Sequence, residues 1–306
     1  MSAADHQRFY LGCAVWAHPS WPGVLFPRAS RSGDYLRLYS RRLTTVEGNT
    51  TFYAMPTTET VRRWAEETPA TFRFCFKLPR DVSHQGSLAA RLPETASFIR
   101  RMVPLGERLG PFFLQLPPGY SPRQHTDLER WLDGWCTLVA GESPALPLRL
   151  AVEVRHLDWY APQGETTFMA LLERYGTGRV LMDVRPLDLG PLPGAEEDLR
   201  RARDNKPDVP LHPLRSAPFT LVRYIGHPDI ARNDELLNEW AARVRDWIAE
   251  GTEVFFFMHC PVERESPLLC RALQQRLDGA PGVPPLPWDS AADDEQQMLL
   301  WPGTHG

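Results

Sequence analysis

The sequence predicts a single soluble (β/α)8 barrel of TIM type, an α/β fold of parallel strands inside a ring of helices. Three observations predict it. Short β-branched and aromatic runs alternate with helical patterns from end to end. Several of those runs are nearly continuously apolar, as strands covered on both faces require. The turn after the first run, Trp16-Ala17-His18-Pro19-Ser20-Trp21, lacks the glycine-rich cradle that announces the structural alternative, a doubly wound open sheet.

Taken in order, the strands are expected at Tyr10–Trp16, Thr44–Asn49, Phe72–Leu78, Phe112–Leu116, Leu148–Arg155, Arg179–Asp183, Thr220–Ile225 and Glu253–His259. Phe255-Phe256-Phe257-Met258 is the clearest of them. Between them, Leu128, Trp131, Leu132, Trp135, Leu138 and Val139 recur at spacings of three and four, which gives one apolar helix stripe. Leu237, Trp240, Ala241, Val244 and Ile248 repeat the pattern, with Asn233 or Asp234 as cap and Gly251 as the stop. Shorter amphipathic segments start near Asp34, Thr57, Glu165 and Pro267, and a helix between Arg91 and Arg108 carries Pro93 and Pro104 near its ends. No linker divides the chain, so 1–306 reads as one domain with a core over about 9–278. The stretch 191–218, rich in proline and charge, reads as a long loop over the mouth, and 279–306 as a C-terminal tail.

Composition bounds the rest. Of 306 residues, 42% are hydrophobic and 24% charged, the balance of a protein with a sizeable core. A net charge of −4 argues against a general polyanion binder. The five cysteines are odd in number and form no C-x-x-C pair, which excludes a zinc ribbon and fits a reducing compartment. The segment Met1 to Arg8 is short and polar, and no run is long and apolar enough to span a membrane. A cytoplasmic monomer without membrane attachment is expected. Of the 34 basic residues only Lys77 and Lys206 are lysine. Arginine keeps its proton at working pH and lysine can release it, so those two positions stand out.

Several strands resemble the domain of unknown function 72 (YecE-like) family. The stretches are Leu11-Gly12-Cys13-Ala14-Val15-Trp16, Thr45-Val46-Glu47-Gly48-Asn49-Thr50-Thr51-Phe52-Tyr53 and Phe72-Arg73-Phe74-Cys75-Phe76-Lys77, followed by Leu114-Gln115-Leu116-Pro117-Pro118 and Ala151-Val152-Glu153-Val154-Arg155-His156. They run in order over nearly the whole chain. The resemblance implies a TIM barrel similar to xylose-isomerase-like and endonuclease-IV-like folds, which hold metals at the mouth. It implies no reaction, and the full ligand set of those relatives does not map onto this sequence.

In such a barrel, polar residues at the C-terminal ends of strands point into the site. Those residues are Glu47 and Asn49, Lys77, Gln115, Glu153 with Arg155 and His156, Asp183, Arg223 and His259, with His84 in the loop after the third strand. Glu47 lies in an apolar strand and would cost several kcal/mol to bury unpaired, so it is either paired with an arginine or faces the mouth. Glu153 and Arg155 share one strand face, which suits an intrastrand pair or an acid/base beside an anion clamp. Lys77 is open to three roles: a salt bridge to Glu47 or Glu153, a Schiff-base amine, or a substrate anchor. Glu47, Glu153 and Lys77 are the expected catalytic set. Trp16, Asn49, Tyr53, His84, Gln115, Arg155, His156, Asp183, Arg223 and His259 are the expected substrate contacts. Trp16, Trp21, Phe52 and Tyr53 are core aromatics or walls that stack a sugar or a nucleobase. His84, His156 and His259 with Glu47, Glu153 and Asp183 would form a carboxylate–imidazole metal site, though no tight local spacing marks one; metal and cofactor stay unassigned.

The leading expectation is a hydrolase or isomerase acting on a small anionic or polyhydroxylated substrate, with Glu47 and Glu153 transferring protons. Two alternatives stand beside it. One is a nucleic-acid-binding or nucleic-acid-processing protein with Lys77, Arg80, Arg155, Arg185, Lys206 and Arg223 as a basic mouth. The other is a barrel that binds a ligand without chemistry.

Overall fold

The computed structural model describes residues 7–143 and 145–290. Eight strands run β1 (Phe9–Cys13), β2 (Thr45–Gly48), β3 (Arg73–Phe76), β4 (Phe112–Gln115), β5 (Leu150–Glu153), β6 (Gly178–Asp183), β7 (Phe219–Ile225) and β8 (Glu253–His259). Helices α1 (Tyr35–Tyr39), α2 (Thr58–Glu67), α3 (Arg80–Ser83), α4 (Leu92–Met102), α5 (His125–Glu142), α6 (Pro162–Arg174), α7 (Glu196–Asn205), α8 (Asp234–Ala249) and α9 (Ser266–Leu277) intervene. All strand pairs are parallel: six strands in the order β1-β8-β7-β6-β5-β4, and β2 with β3. The fold is α/β, a parallel sheet with surrounding helices.

Two junctions link the pair β2–β3 to the six-stranded sheet. Between β3 and β4, Gly110 N donates to Phe74 O at 2.9 Å and Leu78 N to Phe113 O at 3.0 Å. Between β1 and β2, the Tyr39 hydroxyl takes a hydrogen bond from Cys13 N at 2.6 Å and donates to Thr45 O at 3.0 Å. Gly12 makes this close approach feasible, because a Cβ there would overlap the Thr45 carbonyl. Strand alternation then sorts the side chains. Tyr10, Cys75, Phe113, Ala151, Val180, Leu221, Phe255 and Phe257 pack together as one buried cluster, while Val46, Phe74, Phe76, Leu114, Val152, Val222 and Phe256 pack on the helix side.

The helices follow their stripes. In α5, Leu128, Trp131, Leu132 and Trp135 are buried; in α8, Leu237, Trp240, Ala241, Val244 and Ile248 are. Pro93 sits in the first turn of α4, and Pro104 opens a separate 3-10 turn, Val103–Arg108, so the two prolines start elements. Asn233 precedes α8 without capping it through its side chain; its amide instead bonds Tyr224 and the backbone of His227 and Asp229.

Two boundaries need correction. The stretch 191–218 is not all loop: it contains α7, ten residues long. Only Leu199 of that helix is buried, so there is no apolar stripe to read. Local charge supports it instead, with Glu196, Glu197 and Asp198 in the first turn and a Glu197–Arg201 pair. The core also runs past 278, because Val283, Leu286 and Trp288 pack into it. The rest of the expected tail, 291–306, lies outside the described residues. Among the described residues, no helix is long and apolar enough to cross a membrane.

Candidate functional site

The C-terminal ends of the strands share one side-chain parity. Lys77 lies two residues beyond Cys75, Gln115 beyond Phe113, Glu153 and Arg155 beyond Ala151, Arg223 beyond Leu221, and His259 beyond Phe257. Each polar group therefore rises from the inward apolar cluster toward the strand ends, where parallel α/β sheets bind ligands.

Arg223 is the keystone. Its Nε and Nη2 donate to Glu47 Oε2 and Oε1, both at 2.8 Å, and its Nη1 donates to Glu153 Oε2 at 2.6 Å. Arg155 Nε donates to Glu153 Oε1 at 2.7 Å, and its Nη2 reaches Gln115 Oε1 at 2.7 Å. Glu47 is further held by Asn49 Nδ2 at 2.7 Å and His259 Nε2 at 3.1 Å. The network is nearly dry: Glu47 is 0% exposed, Glu153 1% and Arg223 4%. Burial alone would raise the carboxyls, yet the facing charges win. The Arg223 charge and the hydrogen bond from His259 hold Glu47 well below the usual carboxylate range, and Arg223 with Arg155 brings Glu153 down to about 2. Burial lowers His259 to about 4, so its imidazole is neutral. Both carboxylates are thus committed anions with every oxygen engaged, which makes them poor proton acceptors.

Above this network opens a cavity of about 550 Å³, lined by Asn49, Phe52, Tyr53, Lys77, Arg80, His84, Gln115, Arg155, Lys206, Arg223 and His259. The charges of Arg155 and Arg223 are matched by Glu153 and Glu47. Lys77, Arg80 and Lys206 have no carboxylate within ion-pairing distance among the described residues. Lys77 Nζ lies 3.6 Å from the centroid of the Phe52 ring, a cation–π contact. Burial, with Arg223 nearby, lowers Lys77 to about 7; the same two causes lower Lys206 to about 8. His84 is brought down to about 4 by burial and by Lys77. A second cavity of about 480 Å³ shares Phe52, Tyr53 and Arg80 as a wall, and Tyr53 is 81% exposed on it. A larger cavity, about 690 Å³, lies at the opposite strand ends around Arg8, Arg245, Ile248, Gly251 and Gly282; its two arginines are taken up by the backbone carbonyls of Gly251 and Arg276.

The structure thus brings together Glu47, Asn49, Tyr53, Lys77, His84, Gln115, Glu153, Arg155, Arg223 and His259. It places Trp16, His156 and Asp183 elsewhere. Trp16 packs edge-on against Trp64 and Phe74. His156 has the helix-side parity of Val154 and accepts from Asp158 N to start a 3-10 turn. Asp183 shares parity with Leu181, faces α8, and is held by Arg185 and by Trp240 Nε1 at 2.8 Å. With His156 and Asp183 turned away, the expected carboxylate–imidazole metal set does not assemble. No group of three or more His, Cys, Asp or Glu among the described residues is placed to hold a metal ion. Arg185 also leaves the basic mouth, because it pairs with Asp183 and Glu239. Sequence reasoning missed Glu263 in the turn after β8. Its Oε1 is buried without a partner, and burial pushes its carboxyl up to about 8. Its place within four residues of a strand end was the signal available.

Known proteins resemble this chain over most of its length. A family model described as "Protein of unknown function DUF72" matches residues 10–291. UPF0759 protein YecE of Escherichia coli K12 is 35% identical over 287 residues, covering 92% of this chain and 98% of that protein. UPF0759 protein YunF of Bacillus subtilis 168 is 24% identical over 263 residues, covering 80% and 86%. Among solved structures, a DUF72 family protein of Enterococcus faecalis V583 superposes with a TM-score of 0.64 at 16% identity, covering 88% of this chain and 95% of that one. A DUF72 family protein of Thermotoga maritima gives 0.62 at 19%, covering 88% and 97%.

Proposed function

This chain belongs to the DUF72 family, whose description assigns no activity, and from its own site residues we propose that it is an enzyme acting on a small anionic substrate at the C-terminal ends of its strands. One observation carries the proposal: Lys77, Arg80 and Lys206, three cations without carboxylate partners among the described residues, line a single cavity. An anion entering it gains charge-assisted hydrogen bonds that the protein does not satisfy internally. Arg223 and Arg155, clamped by Glu47 and Glu153, form a rigid polar floor under that anion, which is how a preorganised site avoids rearrangement on binding.

On this reading the two glutamates position the arginines and move no protons. The group suited to proton transfer near neutrality is Lys77, lowered by burial to about 7. The chemistry is isomerisation or hydrolysis, and the protein works as a cytoplasmic monomer. The eight strands, joined at both junctions by the Tyr39 hydroxyl and the β3–β4 hydrogen bonds, form a closed (β/α)8 barrel. Confinement of the cations to a concave cavity, with Arg185 excluded, favours a small molecule over a nucleic acid.

The test is a thermal-shift and turnover screen with phosphorylated and carboxylated sugars and hydroxy acids, each beside its neutral counterpart. Stabilisation by anionic members, weakened in Lys77→Met and Arg80→Met, supports the proposal. Equal stabilisation by neutral counterparts, or none by any anion, overturns it.

A further inference from the structure

The chain uses arginine for nearly every cation, yet its only two lysines, far apart in sequence, meet at one cavity. Lys77 arrives from the end of β3 and Lys206 from the end of α7. Anion binding alone does not explain the choice. A guanidinium binds carboxylate or phosphate with a two-pronged fork, and arginine already fills Arg80, Arg155 and Arg223 around the same space. What lysine alone offers is a neutral amine with a nucleophilic lone pair.

We propose that Lys77 is a covalent nucleophile that forms an iminium with the carbonyl carbon of an anionic aldehyde or ketone held in this cavity. The inference rests on the anionic-substrate reading above and adds the carbonyl. Lys77 is 8% exposed and has no carboxylate within ion-pairing distance among the described residues, so no salt bridge has to be broken to free its amine. Its Nζ lies against the Phe52 ring, which holds the amine in place without withdrawing its lone pair into a hydrogen bond. In the first step the Nζ lone pair forms a bond to the carbonyl carbon, and the carbonyl π pair moves to oxygen, which takes a proton from the Lys206 ammonium. Nitrogen then returns a proton to the Lys206 amine, which passes it to the hydroxyl; the hydroxyl leaves as water, and the nitrogen lone pair forms the C=N bond. In sum, the Lys77 amine, the Lys206 ammonium and the carbonyl give the iminium, the Lys206 amine and water, with no oxidant or reductant consumed. The resulting cation is an electron sink for breaking a bond at the neighbouring carbon, and Arg80 remains to hold the substrate's anionic group.

The full chain has only two ε-amines, which makes the experiment clean. The protein is mixed with pyridoxal 5′-phosphate as an anionic aldehyde, or with pyruvate as an anionic ketone, then reduced with borohydride and mapped by mass spectrometry. One reduced adduct per chain on Lys77 is expected, absent in Lys77→Arg, formed more slowly but still on Lys77 in Lys206→Arg, unchanged in the exposed-helix variant Arg201→Ala, and suppressed by excess inorganic phosphate. Its rate should be half-maximal near pH 7, where the free amine appears. Calorimetry of inorganic phosphate on the same preparation separates the two failures. Phosphate binding without any Lys77 adduct overturns the covalent step and leaves the anion site standing; neither binding nor adduct overturns both. Labelling spread evenly over Lys77, Lys206 and the N-terminal amine also overturns the proposal.

Discussion

Replacing Arg223 with methionine keeps most of the side chain's volume and removes the cation from between two buried carboxylates. Three hydrogen bonds of 2.6–2.8 Å disappear at once. Glu153 keeps Arg155, whereas Glu47 is left with Asn49 and a neutral His259. Breaking one side of a buried ion pair costs about 3–5 kcal/mol, because the orphaned charge stays out of water. The sign with pH follows. Glu47 has a depressed folded-state pKa in the native protein, so its contribution is present above the unfolded carboxylate value and is lost as pH falls through the folded one. Without Arg223 that depression goes, and the deficit is largest near neutrality and shrinks as acid protonates the orphan. Urea unfolding followed by tryptophan fluorescence at pH 7.5 and pH 5 reads the difference as a midpoint shift at constant slope. The double variant Arg223→Met/Glu47→Gln should regain part of the loss, and Arg201→Ala, which breaks an exposed helix pair, should lose only about 0.5 kcal/mol or less. A loss from Arg223→Met no larger than that of Arg201→Ala, or no recovery in the double variant, would refute the keystone role.

Other outcomes follow from the same geometry. Tyr39→Phe removes the hydroxyl that bridges β1 and β2 and leaves Cys13 N without its acceptor, at a cost of about 1–3 kcal/mol in denaturant titration; an unchanged midpoint would show that the junction does not depend on it. Lys77→Met should stabilise the unliganded protein at pH 6. A lysine lowered by burial from 10.5 to about 7 resists the charged form in the fold, so its burial cost is full below the folded value and is relieved as pH rises toward 10.5. The gain should be on the order of 5 kcal/mol at pH 6 and fade by pH 10, whereas a variant less stable than the parent at pH 6 contradicts the assignment.

The strands were legible because buried parallel strands write themselves as apolar runs: β8 was expected over its whole length, and the others differ mainly where the ends splay into turns. Charged groups at strand ends were legible for the same reason, since Glu47, Glu153 and Arg223 interrupt such runs. Which face each one takes was not. Asp183 and Arg223 look alike in sequence, and only the parity set by Val180 and Leu221 in the inward cluster separates them. His156 follows Arg155 by one residue and therefore points to the opposite side. The helix α7 was hidden because it buries Leu199 alone. Lys206 was expected with Lys77 in one basic mouth, and the two do line one cavity, but the helix that carries Lys206 there was read as loop.

The most direct test is calorimetric titration of pyrophosphate into the parent protein and into Lys77→Met/Arg80→Met/Lys206→Met. Saturable binding is expected in the parent, stronger at pH 6.5 than at pH 9.5, because Lys77 and Lys206, lowered to about 7 and about 8, lose their charge between those values. In the triple variant it should vanish. Binding of equal strength in the triple variant, or parent binding that strengthens at pH 9.5, would contradict the cationic cavity as the site.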